Sequence, residues 1–109
     1  MNAESIKELL ENAGIMAEEE YFGNEVDPPY AIILEPSAQI DCADIGIIIS
    51  RVQRYRIELY TRSKKDPIRE LFKQLIYENI RADAFTEETE SYGANRLFMT
   101  AIEFELLEE

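Results

Sequence analysis

The chain has no histidine and one cysteine, and only eleven Lys and Arg against twenty-three Asp and Glu, a formal net charge of −12 over 109 residues. Without histidine there is no Ser-His-Asp triad, no Cys-His pair and no zinc site of the imidazole type. One cysteine, Cys42, excludes both an internal disulfide and a thiolate metal cage, so a reducing compartment is the default. The shortage of cations argues against a duplex-binding protein or one held to an anionic membrane, because both attractions come mainly from Lys and Arg. No apolar run approaches the length that crosses a bilayer, and "MNAESIKELLENAG" has acids where a leader would be apolar, so the expectation is a soluble, unexported protein without membrane partners. There is no internal repeat and no low-complexity linker.

The length suits one domain, residues 1–109, with 46% hydrophobic residues to build its core. Ile6, Leu9, Leu10 and Ala13 recur at helical spacing over residues 4–13, and Gly14 stands where a C-terminal cap belongs. "IMAEEEYF" reads as an exposed strand, and "GNEVDPP" breaks the chain because residues before proline are pushed toward extended geometry. "YAIILE" reads as a largely buried strand ended by Pro36, "PSAQIDCAD" as a polar connector and "IGIIIS" as a further short strand. "QRYRIELYT" then sets Gln53, Tyr55, Ile57, Leu59 and Thr61 on one side, with Arg54, Arg56, Glu58 and Tyr60 on the other.

The second helix is the clearest element. Asp66 suits its N-cap and Pro67 its first position, and Ile68, Leu71, Phe72, Leu75, Ile76 and Ile80 form one stripe. "FTEETESYGANRLFMTAIEFELLEE" reads as a closing hairpin with "YGAN" as its turn. Phe98, Thr100, Ile102, Phe104 and Leu106 share one face of it, Glu103 and Glu105 point away, and the acidic end is open to fraying. The expected fold is therefore α+β: a single mostly antiparallel sheet of four to five strands, with two helices packed mainly on one face.

Charge is distributed unevenly. Residues 51–73, "RVQRYRIELYTRSKKDPIRELFK", hold eight cations and three acids, a local net of +5, and the other 86 residues hold three cations and twenty acids, a net of −17. One reading leaves Arg54, Arg56, Arg62, Lys64 and Lys65 on a solvated face and loop, partnered by Glu103 or Glu105 across the sheet, each pair worth about 0.2–1 kcal/mol. The other makes these five residues a subunit interface that meets an acidic surface on the next copy, head to tail, in a contact that closes into a ring. Asp41 and Asp44, and the run Glu18 to Glu20, lack the spacing and glycine of a calcium loop and read as loop and surface acids. "PPY" reads as a turn opening a strand and Cys42 as a small apolar residue without a base. The Tyr and Arg residues of "RYRIELYTR" suit stacking on single-stranded nucleic acid, but the overall charge repels that polymer. No catalytic, cofactor-binding or metal-ligating residue is expected.

In order, the short helix, "PPYAIILEP", "RYRIELYTRSKKDPIRELFKQLI" and a final hairpin ending "LFMTAIEFEL" resemble the small tail-completion proteins of long-tailed phages and prophages. These are the head-tail joining or tail-terminator proteins, also called minor tail or minor capsid proteins. The similarity covers almost the whole chain. Tyr55, Ile57, Glu58, Leu59, Tyr60, Thr61, Lys65, Asp66 and Pro67 carry its most specific part, with Pro28, Pro29 and Tyr30. The resemblance implies a non-enzymatic structural protein of α+β fold that forms a homo-oligomeric ring, usually a hexamer, between tail-tube and head-connector proteins. It implies residence in the host cytoplasm during assembly and then in the virion tail. DNA would pass through the ring without specific binding, the surplus acid lining the bore. Two rival readings stand beside it. An acidic DNA-mimic inhibitor of a nucleic-acid-binding protein fits the excess of acid but not the basic segment. A small carboxylate-dependent enzyme requires two acids with well-separated pKa values in a pocket.

Overall fold

The computed structural model describes residues 2–20, 26–35, 38–42, 48–82, 85–89 and 97–108, with the backbone alone at 38–42, 48–52, 88–89 and 107–108. Helix α1, Ala3–Asn12, starts from a reciprocal cap. Asn2 Oδ1 accepts the Ser5 N–H at 2.9 Å, and Ser5 Oγ accepts the Asn2 N–H at 2.9 Å, which satisfies two donors that have no partner within the helix. Gly14 follows the helix with φ +88°, a left-handed turn that a side chain disfavours. Ala3, Ile6 and Leu10 are buried, as the helical spacing requires.

The strands are β1 (Met16–Glu19), β2 (Tyr30–Leu34), β3 (Ala38–Cys42), β4 (Ile48–Thr61), β5 (Phe85–Thr89) and β6 (Phe98–Glu108). They run β1-β2-β4-β6-β5 across one sheet, and β3 joins as a sixth strand on β4. Among the described residues, only β1 and β2 pair in parallel; every other pairing is antiparallel. The α+β class and the mostly antiparallel five-strand path agree with the sequence.

Two expectations are corrected around β4. Ala38–Cys42, in the stretch read as a connector, is strand β3, with Ala38 opposite Gln53 and Cys42 opposite Ile48. "IGIIIS" and "QRYRIELYT" are not two strands, because β4 runs unbroken for 14 residues. No proline or glycine interrupts it between Ile48 and Thr61, and its two edges find partners in turn: β2 and β3 on one side, β6 on the other. At about 3.3 Å per residue such a strand spans roughly 46 Å, close to the 50 Å long dimension of the molecule. The acidic C-terminal stretch stays in the ladder to Glu108, opposite Arg51. The "YGAN" turn and Pro36 lie outside the described residues.

Both helices pack on one face of the sheet. That face presents Ala17, Ala31, Ile33, Tyr55, Ile57, Leu59, Ile102 and Phe104, all buried in one cluster with Ile6 and Leu10 of α1 and Phe72 and Ile76 of α2. Full burial of side chains of this size stabilises by about 1.5–3 kcal/mol each, so this cluster dominates the fold. Helix α2, Ile68–Asn79, follows Pro67, and Asp66 Oδ1 accepts the Ile68 N–H at 3.0 Å, the expected capping contact. Leu71 departs from the expected stripe: it is 36% exposed, while Phe72 and Ile76 are fully buried.

The outer end of α2 is tied to β5 by polar contacts. Glu87 receives Lys73 Nζ at 2.7 Å and the Tyr77 hydroxyl at 2.9 Å, and Tyr77 stands edge-on to Phe85 with centroids 5.0 Å apart. Burial and then Glu87 push the Tyr77 phenol up to about 12. The Lys73 ammonium, opposed by partial burial and helped by Tyr77, holds the Glu87 carboxyl below its ordinary 4.5. A depressed folded value means stability fully present above pH 4.5 and lost as the pH falls through the folded value. Glu87→Gln is therefore expected to lower stability at neutral pH and to flatten its decline on acidification, read from melting temperatures across that range. An unchanged acid slope would refute the tie.

Candidate assembly interface

The sheet face away from the helices carries the alternate residues of β4. Arg54 lies opposite Glu105, Arg56 opposite Glu103, Glu58 opposite Ala101, and Tyr60 between Tyr30 and Met99. Arg54 places both Nε and Nη2 on Glu105 Oε1, at 3.1 and 2.9 Å. Arg56 bridges two carboxylates, with Nε to Glu58 Oε2 at 2.8 Å and Nη1 to Glu103 Oε1 at 2.9 Å. The Tyr60 hydroxyl donates to the other Glu58 oxygen at 3.0 Å, and its ring stacks on Tyr30 at 5.2 Å. Burial, then Glu58, raises the Tyr60 phenol, and burial raises that of Tyr30. The cross-strand partners allowed by the sequence pattern thus engage Arg54 and Arg56 within their own molecule.

These two arginines differ in weight. The Arg56 and Glu58 side chains are 17% and 14% exposed, whereas those of Arg54 and Glu105 are 40% and 50% exposed. Arg56→Ala leaves a mostly buried carboxylate without its cation and is expected to cost roughly 1–3 kcal/mol. Arg54→Ala removes a solvent-screened pair and is expected to cost about 0.2–1 kcal/mol. Urea unfolding of the two variants checks the order, and equal losses would contradict it.

The remaining three predicted interface residues sit elsewhere. Arg62, Lys64 and Lys65 occupy the connection from β4 to α2 and are exposed. Arg62 reaches Asp27 at 3.6 Å, but both side chains are open to water, 69% and 96% exposed. Lys65 makes no ion pair with a described residue.

The loop that holds these cations is bonded throughout its length. Thr61 Oγ1 donates to the Ser63 carbonyl at 2.9 Å, Ser63 Oγ accepts the Lys65 N–H at 3.0 Å, and the Ser63 carbonyl also accepts the Asp66 N–H at 3.2 Å. Arg69, in the first turn of α2, closes the arrangement. It donates through Nη1 to the Lys64 carbonyl and through Nε to Thr100 Oγ1 at 2.8 Å, and its guanidinium lies 4.8 Å from the centre of the Phe98 ring. A planar guanidinium with several donors suits such a joint better than an ammonium would. Sequence reasoning missed Arg69, because its tie to Thr100 joins residues 31 apart through packing that no local pattern encodes.

Other candidates are not drawn together. Glu18 pairs with Lys7 at 3.1 Å, Asp41 and Cys42 are placed only as backbone of β3, and Asp44 lies outside the described residues. Among the described residues, no group of three or more Cys, Asp or Glu is placed to hold a metal ion. No described helix is long and apolar enough to cross a membrane. No model of a known protein family matches the chain, and no curated protein matches it in sequence.

Proposed function

We propose that this chain is a structural subunit of a long-tailed phage or prophage, a tail-completion protein that joins or terminates the tail at the head-tail interface. It assembles as a ring, in the manner of hexameric joining proteins, and meets tail-tube protein on one side and head-connector protein on the other. One observation carries this reading: a chain of net charge −12 exposes Arg62 and Lys65 on a loop held by a set of hydrogen bonds, beyond the ion pairs that engage Arg54 and Arg56. A rigid cationic projection on an acidic subunit suits recognition of another acidic surface, the next copy being the nearest at hand. The surplus carboxylates then line a bore that repels phosphate, so DNA slides without being gripped. The same cations weigh against a DNA mimic, whose surface gains nothing from them. Negative-stain electron microscopy of the purified protein, alone and with tail-tube protein, tests the reading. Closed rings of one size are expected, and monomers under both conditions would overturn it.

A further inference from the structure

Resting on that reading of a head-to-tail ring, we infer that the loop Arg62–Asp66 of one copy docks on the outer face of α1 in the next, its cations meeting Glu4, Glu8 and Glu11.

Most sheet carboxylates with described side chains are already engaged, Glu19 on β1 being exposed and without an ion pair among the described residues. Glu58 and Glu103 hold Arg56, Glu105 holds Arg54, and Glu87 holds Lys73 and Tyr77. Glu70 lies in the first turn of α2, where it complements the helix dipole of its own chain. On α1, Glu4 has the same first-turn role, whereas Glu8 and Glu11 do not. Glu4 and Glu8 are four residues apart and Glu8 and Glu11 three, so all three lie along one exposed strip and repel one another. Glu11 stands in the last turn, at the negative end of the helix dipole, and that turn has no basic residue. The one cation of α1, Lys7, turns to Glu18 on β1. None of Glu4, Glu8 and Glu11 forms an ion pair among the described residues. Within a single copy Glu8 has no opposite charge beside it and Glu11 only the longer-range attraction of Lys7; beside a cationic neighbour the repulsion along the strip becomes attraction.

Both surfaces are also held in place. The strip is fixed because the opposite side of α1 is buried through Ala3, Ile6 and Leu10, and the loop is fixed by Ser63, Asp66 and Arg69. Little conformational freedom remains to be lost on docking. Because strip and loop are different surfaces, the contact is heterologous and each copy can give one and receive one.

A charge swap tests the pairing. One variant carries R62E, K64E and K65E; a second carries Glu4→Lys, Glu8→Lys and Glu11→Lys. A neutral version, Glu8→Gln with Glu11→Gln, serves if the second variant does not fold, as judged by circular dichroism. Each reversed variant alone is expected to associate at least about tenfold more weakly than wild type, the scale of three exposed charge pairs. An equimolar mixture of the two reversed variants is expected to recover wild-type assembly, since each reversed surface meets its complement in the other chain. The neutral variant is expected to weaken association several-fold. If the α1 variants assemble as wild type does, this pairing is wrong while ring assembly through the loop stands. If wild type itself does not associate, alone or with tail-tube protein, the ring reading fails and the pairing with it.

Discussion

Phe72→Ala is expected to cost the fold about 3–5 kcal/mol, a fifth or more of the whole stability of a domain in the usual range of about 5–15 kcal/mol. Phe72 is fully buried, and Ile76 is the only other residue of α2 in that state. Ile68 and Leu75 are packed only partly against the same core. Removing the ring therefore strips α2 of half its fully buried anchor and leaves a cavity that the rigid sheet beneath cannot close. Leu71, the next residue, is 36% exposed, and its alanine variant should stay within about 0.5 kcal/mol of wild type. Urea unfolding should show a large fall in midpoint for Phe72→Ala with little change in slope. A loss below about 1 kcal/mol would mean that α2 is not seated as described. The consequence extends to function, because α2 carries Arg69, and a loosened helix releases the basic loop.

Much of this arrangement was readable in advance, for identifiable reasons. Alternation along "QRYRIELYT" placed Gln53, Tyr55, Ile57, Leu59 and Thr61 on the core side, and all five are buried. The facing alternation of β6 named Glu103 and Glu105 as cross-strand partners of the arginines, because a pleated strand permits only two sides. β3 was missed because Gln39 and Asp41 made a five-residue strand look like a polar connector, and its formation depends on the long free edge that β4 offers it. Leu71 was placed in the core because periodicity gives a stripe without giving its width. Asn2 was not recognised as the cap of α1, because Ser5 stands where the usual capping box has Glu or Gln. The rigidity of the basic loop was not legible at all. It rests on Arg69 of α2 meeting Thr100 and Phe98 of β6, and such meetings depend on register and tertiary packing.

The division of the five cations follows from the same geometry. Arg54 and Arg56 extend the regular pleat of β4 and so fall opposite carboxylates of β6. Arg62, Lys64 and Lys65 come after the ladder ends, where no strand stands opposite. The structure therefore narrows the proposed interface from a strand and its loop to the loop. Reversing those three charges, R62E with K64E and K65E, is expected to weaken self-association at least about tenfold while leaving unfolding nearly unchanged, since exposed charges of this kind contribute little to the fold, about 0–1 kcal/mol per pair. Arg69 is left in place in that variant so that the loop keeps its shape and only its sign changes.

Sedimentation velocity of wild type and R62E/K64E/K65E, each at low and raised ionic strength, is the most direct test that exposed loop cations join the subunits. Wild type, alone or with tail-tube protein, should sediment as an oligomer at low salt and dissociate as salt screens charges beyond about 8–10 Å, and the reversed variant should associate at least about tenfold more weakly. A wild-type chain that remains a monomer at low salt and high concentration both alone and with tail-tube protein, or a reversed variant that assembles as wild type does, would contradict the account.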